Sequence, residues 1–244
     1  ERTQWEVGPG VISVSGSFAR DNIDVEVSLE STVPQEIWPW VGLPELQGRI
    51  SGKLRAGGTM VQPVLSIEVK GQTSIEKAKG VKGSRRMTFS ASAEAKEGKL
   101  EGRVLLKGTA KEEIRSEFSF PLRLSLFPFE VNRDLEGPLM ASLKGRLDLD
   151  MFELFVLPED HVLGGVMELD LSARGSPGEP VLNGAVYLRK GRYESPTTGT
   201  ILRGMEVFME GEGRRLFIRN VRAEDGDNGV VQASGWISLE PSQD

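Results

Sequence analysis

The chain has 244 residues, of which 38% are hydrophobic and 29 are glycine, and it carries a formal net charge of −6 with no cysteine. The negative charge argues against a general nucleic-acid-binding protein, and the lack of cysteine excludes disulfide scaffolds, thiol catalysis and cysteine-ligated metals. No run of about 18 apolar residues occurs, so no segment is predicted to cross a bilayer as a helix.

Apolar and polar residues alternate with a period of two along most of the chain, which predicts β-strands with one apolar and one polar face. Turn residues such as Glu97-Gly98-Lys99 separate the runs, and the short connections predict antiparallel pairing of about fourteen consecutive strands. In chain order the runs cover residues 12–18, 23–29, 65–69, 87–93, 100–106, 118–126, 139–149, 167–173, 186–188, 216–218 and 231–239.

Two apolar stretches break this alternation. Residues 31–46 hold Trp38 and Trp40 among prolines, and in residues 150–157 the spacing of Asp150 and Glu153 resembles a helix capping box, with Pro158 as a stop. We interpret both stretches as short apolar helices or turns. They are predicted to cover part of the sheet face, with contact to a membrane surface as the alternative.

The sequence contains an internal repeat with an offset of 117 residues, seen most clearly when residues 46–65 are laid over residues 163–182. Gly58 matches Gly175, and Pro63-Val64-Leu65 matches Pro180-Val181-Leu182. We therefore divide the chain into residues 1–126, which include repeat copy 31–71, and residues 127–244, which include copy 148–188 and continue the first segment. Because the chain begins at Glu1 rather than Met, we expect it to be part of a longer protein.

Candidate catalytic and metal-binding residues are few. His161 is the single histidine and is interpreted as a surface loop residue, while Asp148 and Asp150 are expected on the polar face of one strand. The segment from Asp225 to Gly229 lacks the spacing of an EF-hand loop and is predicted to form a hairpin turn. We predict that the protein is not an enzyme and has no catalytic residues, metal site or cofactor. The remaining catalytic alternative is a glycan-active enzyme that uses the two aspartates.

The apolar stripe has two possible roles. It is either the closed core between two sheets of a β-sandwich with a structural or adhesive role, or a surface that binds an apolar ligand.

Five short motifs carry a resemblance to a known family. Their order and spacing, within residues 139–240, resemble the conserved domain of the TamB family, the translocation and assembly module inner-membrane component, which belongs with the AsmA-like and bridge-like lipid transfer proteins. The internal repeat extends a weaker likeness to residues 31–71. The motifs are Pro180-Val-Leu-Asn-Gly184, Gly191-Arg-Tyr193, Thr198-Gly199, Asp225-Gly226 with Gly229, and Ser234-Gly235-Trp-Ile237.

The resemblance implies an all-β fold in which a long antiparallel sheet curls into an open, taco-like hydrophobic groove. It implies the periplasmic part of a protein anchored in the inner membrane by a segment outside this chain. The implied function is to shield acyl chains during phospholipid transport between the inner and outer membranes. The alternative is a chaperone groove for outer-membrane β-barrel proteins and autotransporters, with a TamA-like β-barrel assembly protein as partner.

The residues expected to line the lipid groove are the apolar members of the alternating runs. They are Leu54, Leu65, Ile67, Val69, Phe89, Val104, Leu106, Phe118, Phe120, Leu122, Leu124, Leu143, Leu147, Leu149, Met167, Leu169, Leu171, Val186, Leu188, Val207, Ile218 and Ile237.

Overall fold

The computed structural model describes residues 2–7, 10–19, 22–32, 47–76, 84–151, 161–227 and 229–239, which form an all-β fold. This part of the chain contains no α-helix, and its one helical element is a 3-10 turn at Leu149–Met151. The strands are β1 Arg2–Val7, β2 Gly10–Ala19, β3 Asn22–Thr32, β4 Gln47–Gly58, β5 Pro63–Glu76, β6 Ser84–Lys96, β7 Lys99–Lys107, β8 Ile114–Leu126, β9 Phe129–Arg133, β10 Leu139–Asp148, β11 Val162–Gly175, β12 Pro180–Ser195, β13 Thr200–Gly213, β14 Arg215–Glu224 and β15 Val230–Ser238.

The strands form one open antiparallel sheet whose order follows the chain. The single departure is at β8, which pairs with β10 over Arg115–Ser119 and with the short β9 over Leu122–Leu126. Strands β1 and β15 are the two edges of the sheet, so it is not closed into a barrel. The prediction of an all-β antiparallel sheet is therefore confirmed.

Local turn chemistry explains why neighbouring strands pair in this order. Between β6 and β7, Glu97 and Gly98 have φ angles of 52° and 77°, and the flanking Lys96 and Lys99 are paired. Two central residues with positive φ are the hallmark of a type I′ hairpin, whose twist matches that of the strands it joins. A two-residue connection can join only antiparallel strands, because parallel strands need a much longer crossover.

The repeated sequence forms two equivalent hairpins in this sheet. Gly58 of β4 is opposite Pro63 of β5, and 117 residues later Gly175 of β11 is opposite Pro180 of β12. Both glycines have positive φ, 86° at Gly58 and 108° at Gly175. Glycine supplies the left-handed backbone and proline begins the strand where no ladder donor is needed, so the same residues produce the same hairpin twice.

The two predicted apolar helices lie largely outside the described residues. Residues 33–46 and 152–160 are not described, and residues 31–32 are the end of β3. Asp150 and Met151 belong to the 3-10 turn rather than to an α-helix.

Two glycines of the apolar side of the sheet differ in the space around them. A Cβ added at Gly102 would collide with the ring of Phe118 and would lie 2.8 Å from the backbone oxygen of Ser92. At Gly235 nothing lies within 4 Å of the same position. An aromatic ring laid across a glycine on the neighbouring strand fills the space that the missing side chain leaves.

We therefore expect Gly102→Val to lower the free energy of unfolding by about 1–3 kcal/mol, because the Phe118 ring must leave its place. The matched substitution Gly235→Val is expected to stay within about 0.5 kcal/mol of the parent. Urea denaturation of both variants measures the difference. Equal destabilisation at the two positions would show that the Phe118 ring is not held over Gly102.

Candidate lipid-binding face

One face of the sheet carries the apolar members of the alternating runs, and we call it the apolar face. Its arrangement follows from the strand registers, because residues directly opposite each other on paired strands point to the same side. The row through the middle of the sheet shows this. It runs Val14, Val27, Leu54, Ile67, Ala93, Gly102, Phe118, Ala141, Ala173 and Leu182.

The strand registers place every predicted groove residue except Leu149 on this same face. A second row contains Val69, Val104, Leu143, Leu171 and Ile237, and a third contains Phe89, Leu106, Leu169, Val186 and Ile218. Leu149 lies outside the strands, in the 3-10 turn. The sequence pattern thus identifies a real surface that extends from β2 to β15.

The apolar face is exposed at some positions and buried at others. Leu54, Ile67 and Val104 keep 41%, 43% and 39% of their surface exposed. On β12, Val186 and Leu188 are only 4% and 8% exposed. A closed sandwich core would bury all of these side chains to a similar degree, so Leu54, Ile67 and Val104 are not covered by the described residues.

The 3-10 turn after β10 packs beside the sheet. Leu149 and Met151 are both buried, and the turn packs against β11. The prediction that residues 150–157 cover part of the sheet face stays a prediction, because residues 152–157 lie outside the described residues.

The opposite face, which we call the polar face, is held by cross-strand ion pairs. Glu26 on β3 accepts a hydrogen bond from Arg55 Nε at 2.7 Å and lies 2.9 Å from Lys53 Nζ. These two cations, Arg55 first, hold the pKa of Glu26 below its ordinary value of 4.5. On β13 and β14, Arg219 bridges Glu210 and Glu212. Pairs of this exposure stabilise little individually, but they keep this face hydrated.

The turn between β14 and β15 is the hairpin that the sequence predicts, and Asp225 closes it. Its Oδ1 accepts hydrogen bonds from the backbone N–H groups of Asp227 and Gly229, both at 2.8 Å. These bonds, led by that from Asp227, lower the pKa of Asp225 below its ordinary value of 3.8.

A carboxyl with a lowered folded-state pKa stabilises the fold above its unfolded pKa, and this stabilisation disappears as the pH falls through the lower folded value. We therefore expect Asp225→Ala to lower the free energy of unfolding at pH 7 and to lower it less at pH 3. Chemical denaturation at both pH values measures the change, with Asp227→Ala as a control of small effect. A pH-independent difference would mean that the charge of Asp225 does not stabilise the turn.

The candidate catalytic residues do not assemble into an active site. Asp148 ends β10, but Asp150 lies in the 3-10 turn, 3.2 Å from Arg192 Nη2, so the expectation that both share a strand face is wrong. The strand ends too early for the alternation to continue.

His161 lies outside the strands, directly before β11, as predicted, but it is half-buried rather than at the surface. Its Nε2 lies 3.0 Å from Ser195 Oγ, and its Nδ1 is buried without a partner among the described residues. Ser195 is itself only 3% exposed, so no substrate reaches this hydroxyl. Within the described ranges, no group of three or more potential metal ligands occurs either.

An aromatic cluster on the polar face was not identified from the sequence. The rings of Tyr187 and Phe208 stack with centroids 4.6 Å apart, while Arg215 lies 4.4 Å from the Trp236 ring centroid and Arg219 lies 4.3 Å from that of Phe217. The sequence does contain a signal for this cluster, in the form of apolar doublets. Where two adjacent residues of a strand are both apolar, one of them must point to each face of the sheet. These doublets are Val186-Tyr187, Val207-Phe208, Phe217-Ile218 and Trp236-Ile237.

Among the described elements, no helix has the length and apolar character needed to cross a membrane.

Comparisons with protein-family models, with curated proteins and with solved structures find no match to this chain.

Proposed function

We propose that this chain is a segment of a periplasm-spanning groove that shields acyl chains while phospholipid moves between the inner and outer membranes. One observation carries the proposal. The apolar side chains of consecutive strands from β2 to β15 lie on one face, and Leu54, Ile67 and Val104 among them remain 39–43% exposed. A continuous apolar surface of this extent marks a binding surface when nothing covers it.

The physical properties of the face suit an acyl chain. Fourteen strands at a spacing of ~4.8 Å give a sheet about 60 Å across, measured along its surface. Each CH₂ group that leaves water for an aliphatic surface contributes about 0.8 kcal/mol. Contacts with Leu, Val and Ile side chains are non-directional, so a bound chain can shift from one row to the next without breaking hydrogen bonds.

The proposal places this segment in the periplasm, as part of a protein anchored in the inner membrane, with phospholipid as its ligand and no catalytic residues, cofactor or metal. It rests on the apolar face and on the motif resemblance to the TamB family. It is tested by extracting lipid from the purified protein and identifying it by native mass spectrometry. Phospholipid bound at a defined stoichiometry is expected, and protein free of lipid after detergent-free purification would oppose the proposal.

A second candidate function is a chaperone groove for outer-membrane β-barrel proteins and autotransporters, acting with a β-barrel assembly partner. The edge strand β15 favours it, because Val230, Val231, Trp236 and Ile237 are all 44–55% exposed and its outer edge has no partner strand among the described residues. An added strand could pair there through backbone hydrogen bonds.

We expect an amphipathic ten-residue strand peptide, labelled with a fluorophore, to bind saturably if this second function holds. The double substitution Val231→Lys and Ile237→Lys would then weaken binding at least about tenfold, because it places charges under the apolar side of the peptide. Fluorescence anisotropy measures the affinity. Unchanged binding by this variant would remove β15 as the strand-binding edge.

A further inference from the structure

Two turns at one end of the strands are tied together by hydrogen bonds. The carbonyl oxygen of Met60, in the turn between β4 and β5, accepts bonds from the N–H groups of Leu126 and Phe127, at 2.7 Å and 3.2 Å. Ser125 Oγ donates to the same oxygen at 3.4 Å. These bonds hold the β8–β9 turn against the β4–β5 turn. We call the joined structure the apolar tip, and it consists of Met60, Val61 and residues 125–129.

The β8–β9 hairpin of the apolar tip projects past its neighbours in the sheet. Strand β7 begins opposite Pro121, and the pairing of β8 with β10 begins at Ser119. Residues 122–126 therefore extend beyond both neighbouring strands, by about 17 Å at ~3.3 Å per residue. The two residues that join β8 to β9, Phe127 and Pro128, are at the outer end of this projection.

Three of the four most exposed large apolar side chains in the described part of the chain belong to the apolar tip. Phe127 and Phe129 are each 73% exposed, and Val61 is 62% exposed. The fourth is Phe18, which is 71% exposed and lies on β2 at the same end of the strands. Single exposed apolar residues are ordinary, but several gathered at one projection mark a contact surface.

The apolar tip carries no charge of its own. Residues 56–67 and 124–129 contain no charged side chain. Phe129 is directly opposite Leu126 and points to the same side of the hairpin. Glu130 is opposite Ser125 and points to the other side. The outer part of the hairpin can therefore leave water without the desolvation of a charged group.

The size and shape of the apolar tip select the partner. A large aromatic side chain offers about 150–250 Å², so Val61, Phe127 and Phe129 together expose no more than about 500 Å² at the fractions given above. A stable protein interface buries about 800 Å² on each partner and needs a complementary surface. A bilayer is a fluid apolar phase that adapts to a small projection, so it needs neither the larger area nor a matching shape.

We propose that the apolar tip inserts into the surface of a lipid bilayer, with Val61, Phe127 and Phe129 entering the outer part of the acyl-chain region. Insertion directs this end of the strands towards the membrane. The inference does not rest on the proposed transport function, because a tip can enter a bilayer whether or not the apolar face takes up a lipid.

The absence of cysteine from the chain makes a single thiol label specific, and the test uses this property. Phe127→Cys is labelled with the fluorophore nitrobenzoxadiazole and mixed with phosphatidylcholine vesicles. Its emission is expected to rise at least about twofold and to shift to shorter wavelength as the fluorophore leaves water. The same label on Ile201→Cys, which is 39% exposed at the opposite end of the strands, is expected to show no change.

Flotation of the unlabelled protein with the same vesicles gives a second measurement. Phe127→Ser with Phe129→Ser is expected to reduce the vesicle-bound fraction at least about fivefold, because two apolar side chains are lost from the contact. The matched control is Ile201→Ser with Val230→Ser, two exposed apolar positions at the other end of the strands, and it is expected to bind like the parent.

The proposal is overturned if the Phe127→Cys label does not respond to vesicles at about 1 mM lipid, or if the two double serine variants lose binding equally. A response of this label to unlabelled protein without vesicles would assign the tip to a protein contact and overturn it as well. Leu54→Glu with Ile67→Glu, on the apolar face, is expected to bind vesicles like the parent. Loss of vesicle binding in that variant would place the membrane contact on the apolar face instead of the tip.

Discussion

The double substitution Leu54→Glu and Ile67→Glu is expected to reduce the phospholipid that co-purifies with the protein at least about tenfold, because an acyl chain over this site would have to desolvate two carboxylates. Leu54 and Ile67 are directly opposite each other on β4 and β5 and are among the more exposed residues of the apolar face. Mass spectrometry of extracted lipid, normalised to protein, measures the loss.

The matched control for this variant is Ser51→Glu with Gln72→Glu. Both positions are exposed, lie on the same two strands and point to the polar face, where Ser51 is opposite Lys70 and Gln72 is opposite Arg49. The control adds the same net charge, so any loss caused by repulsion from anionic lipid would appear in both variants. If both variants lose lipid equally, the apolar face is not where the lipid is bound.

The second large effect concerns stability and separates an open face from a closed core. Leu188→Ala is expected to lower the free energy of unfolding by about 2–5 kcal/mol, as truncation of a buried leucine does. Ile67→Ala should cost less, about 1–1.5 kcal/mol, because this side chain keeps 43% of its surface exposed and a smaller part of it is removed from water. Urea denaturation with a common m-value compares the two.

This comparison bears directly on the alternative of a β-sandwich. In a closed core, Ile67 and Leu188 would be buried to the same extent, and both truncations would fall in the same range. A loss of several kcal/mol at Ile67 would therefore place a second layer over the middle of the face and leave no room for an acyl chain.

The alternation of apolar and polar residues was sufficient to predict the sheet and its two faces. In β8, Phe118, Phe120, Leu122 and Leu124 are spaced by two, and one strand spans them all. The repeated Gly and Pro residues were equally informative. Proline fixes its own φ and glycine adopts positive φ at low cost, and neither property depends on the rest of the fold.

In strand β13 the alternation of apolar and polar residues does not predict which residues point to each face. Its register shifts between Arg203 and Glu206, and it contains the apolar run Val207-Phe208-Met209, so its sequence does not alternate. A register irregularity changes which residues face each side, and its position is set by the partner strand rather than by local sequence. Strand β9, all five residues of which are exposed, gives no hydrophobic signal at all.

Exposure within the apolar face could not be predicted either. Ile67 and Val186 have the same type of side chain in the same type of alternating run, yet one is 43% and the other 4% exposed. Alternation identifies the face that is apolar, but the residues that cover it come from other parts of the chain.

The most direct test of the central proposal is site-specific photo-crosslinking at two adjacent residues of β11. Leu171 lies on the apolar face and Ser172 on the polar face of the same strand. A benzophenone amino acid at position 171, irradiated in cells, is predicted to form covalent adducts with phospholipid, and the same group at position 172 is predicted to form none. Adducts with protein alone at position 171, or equal lipid labelling at both positions, would contradict the account.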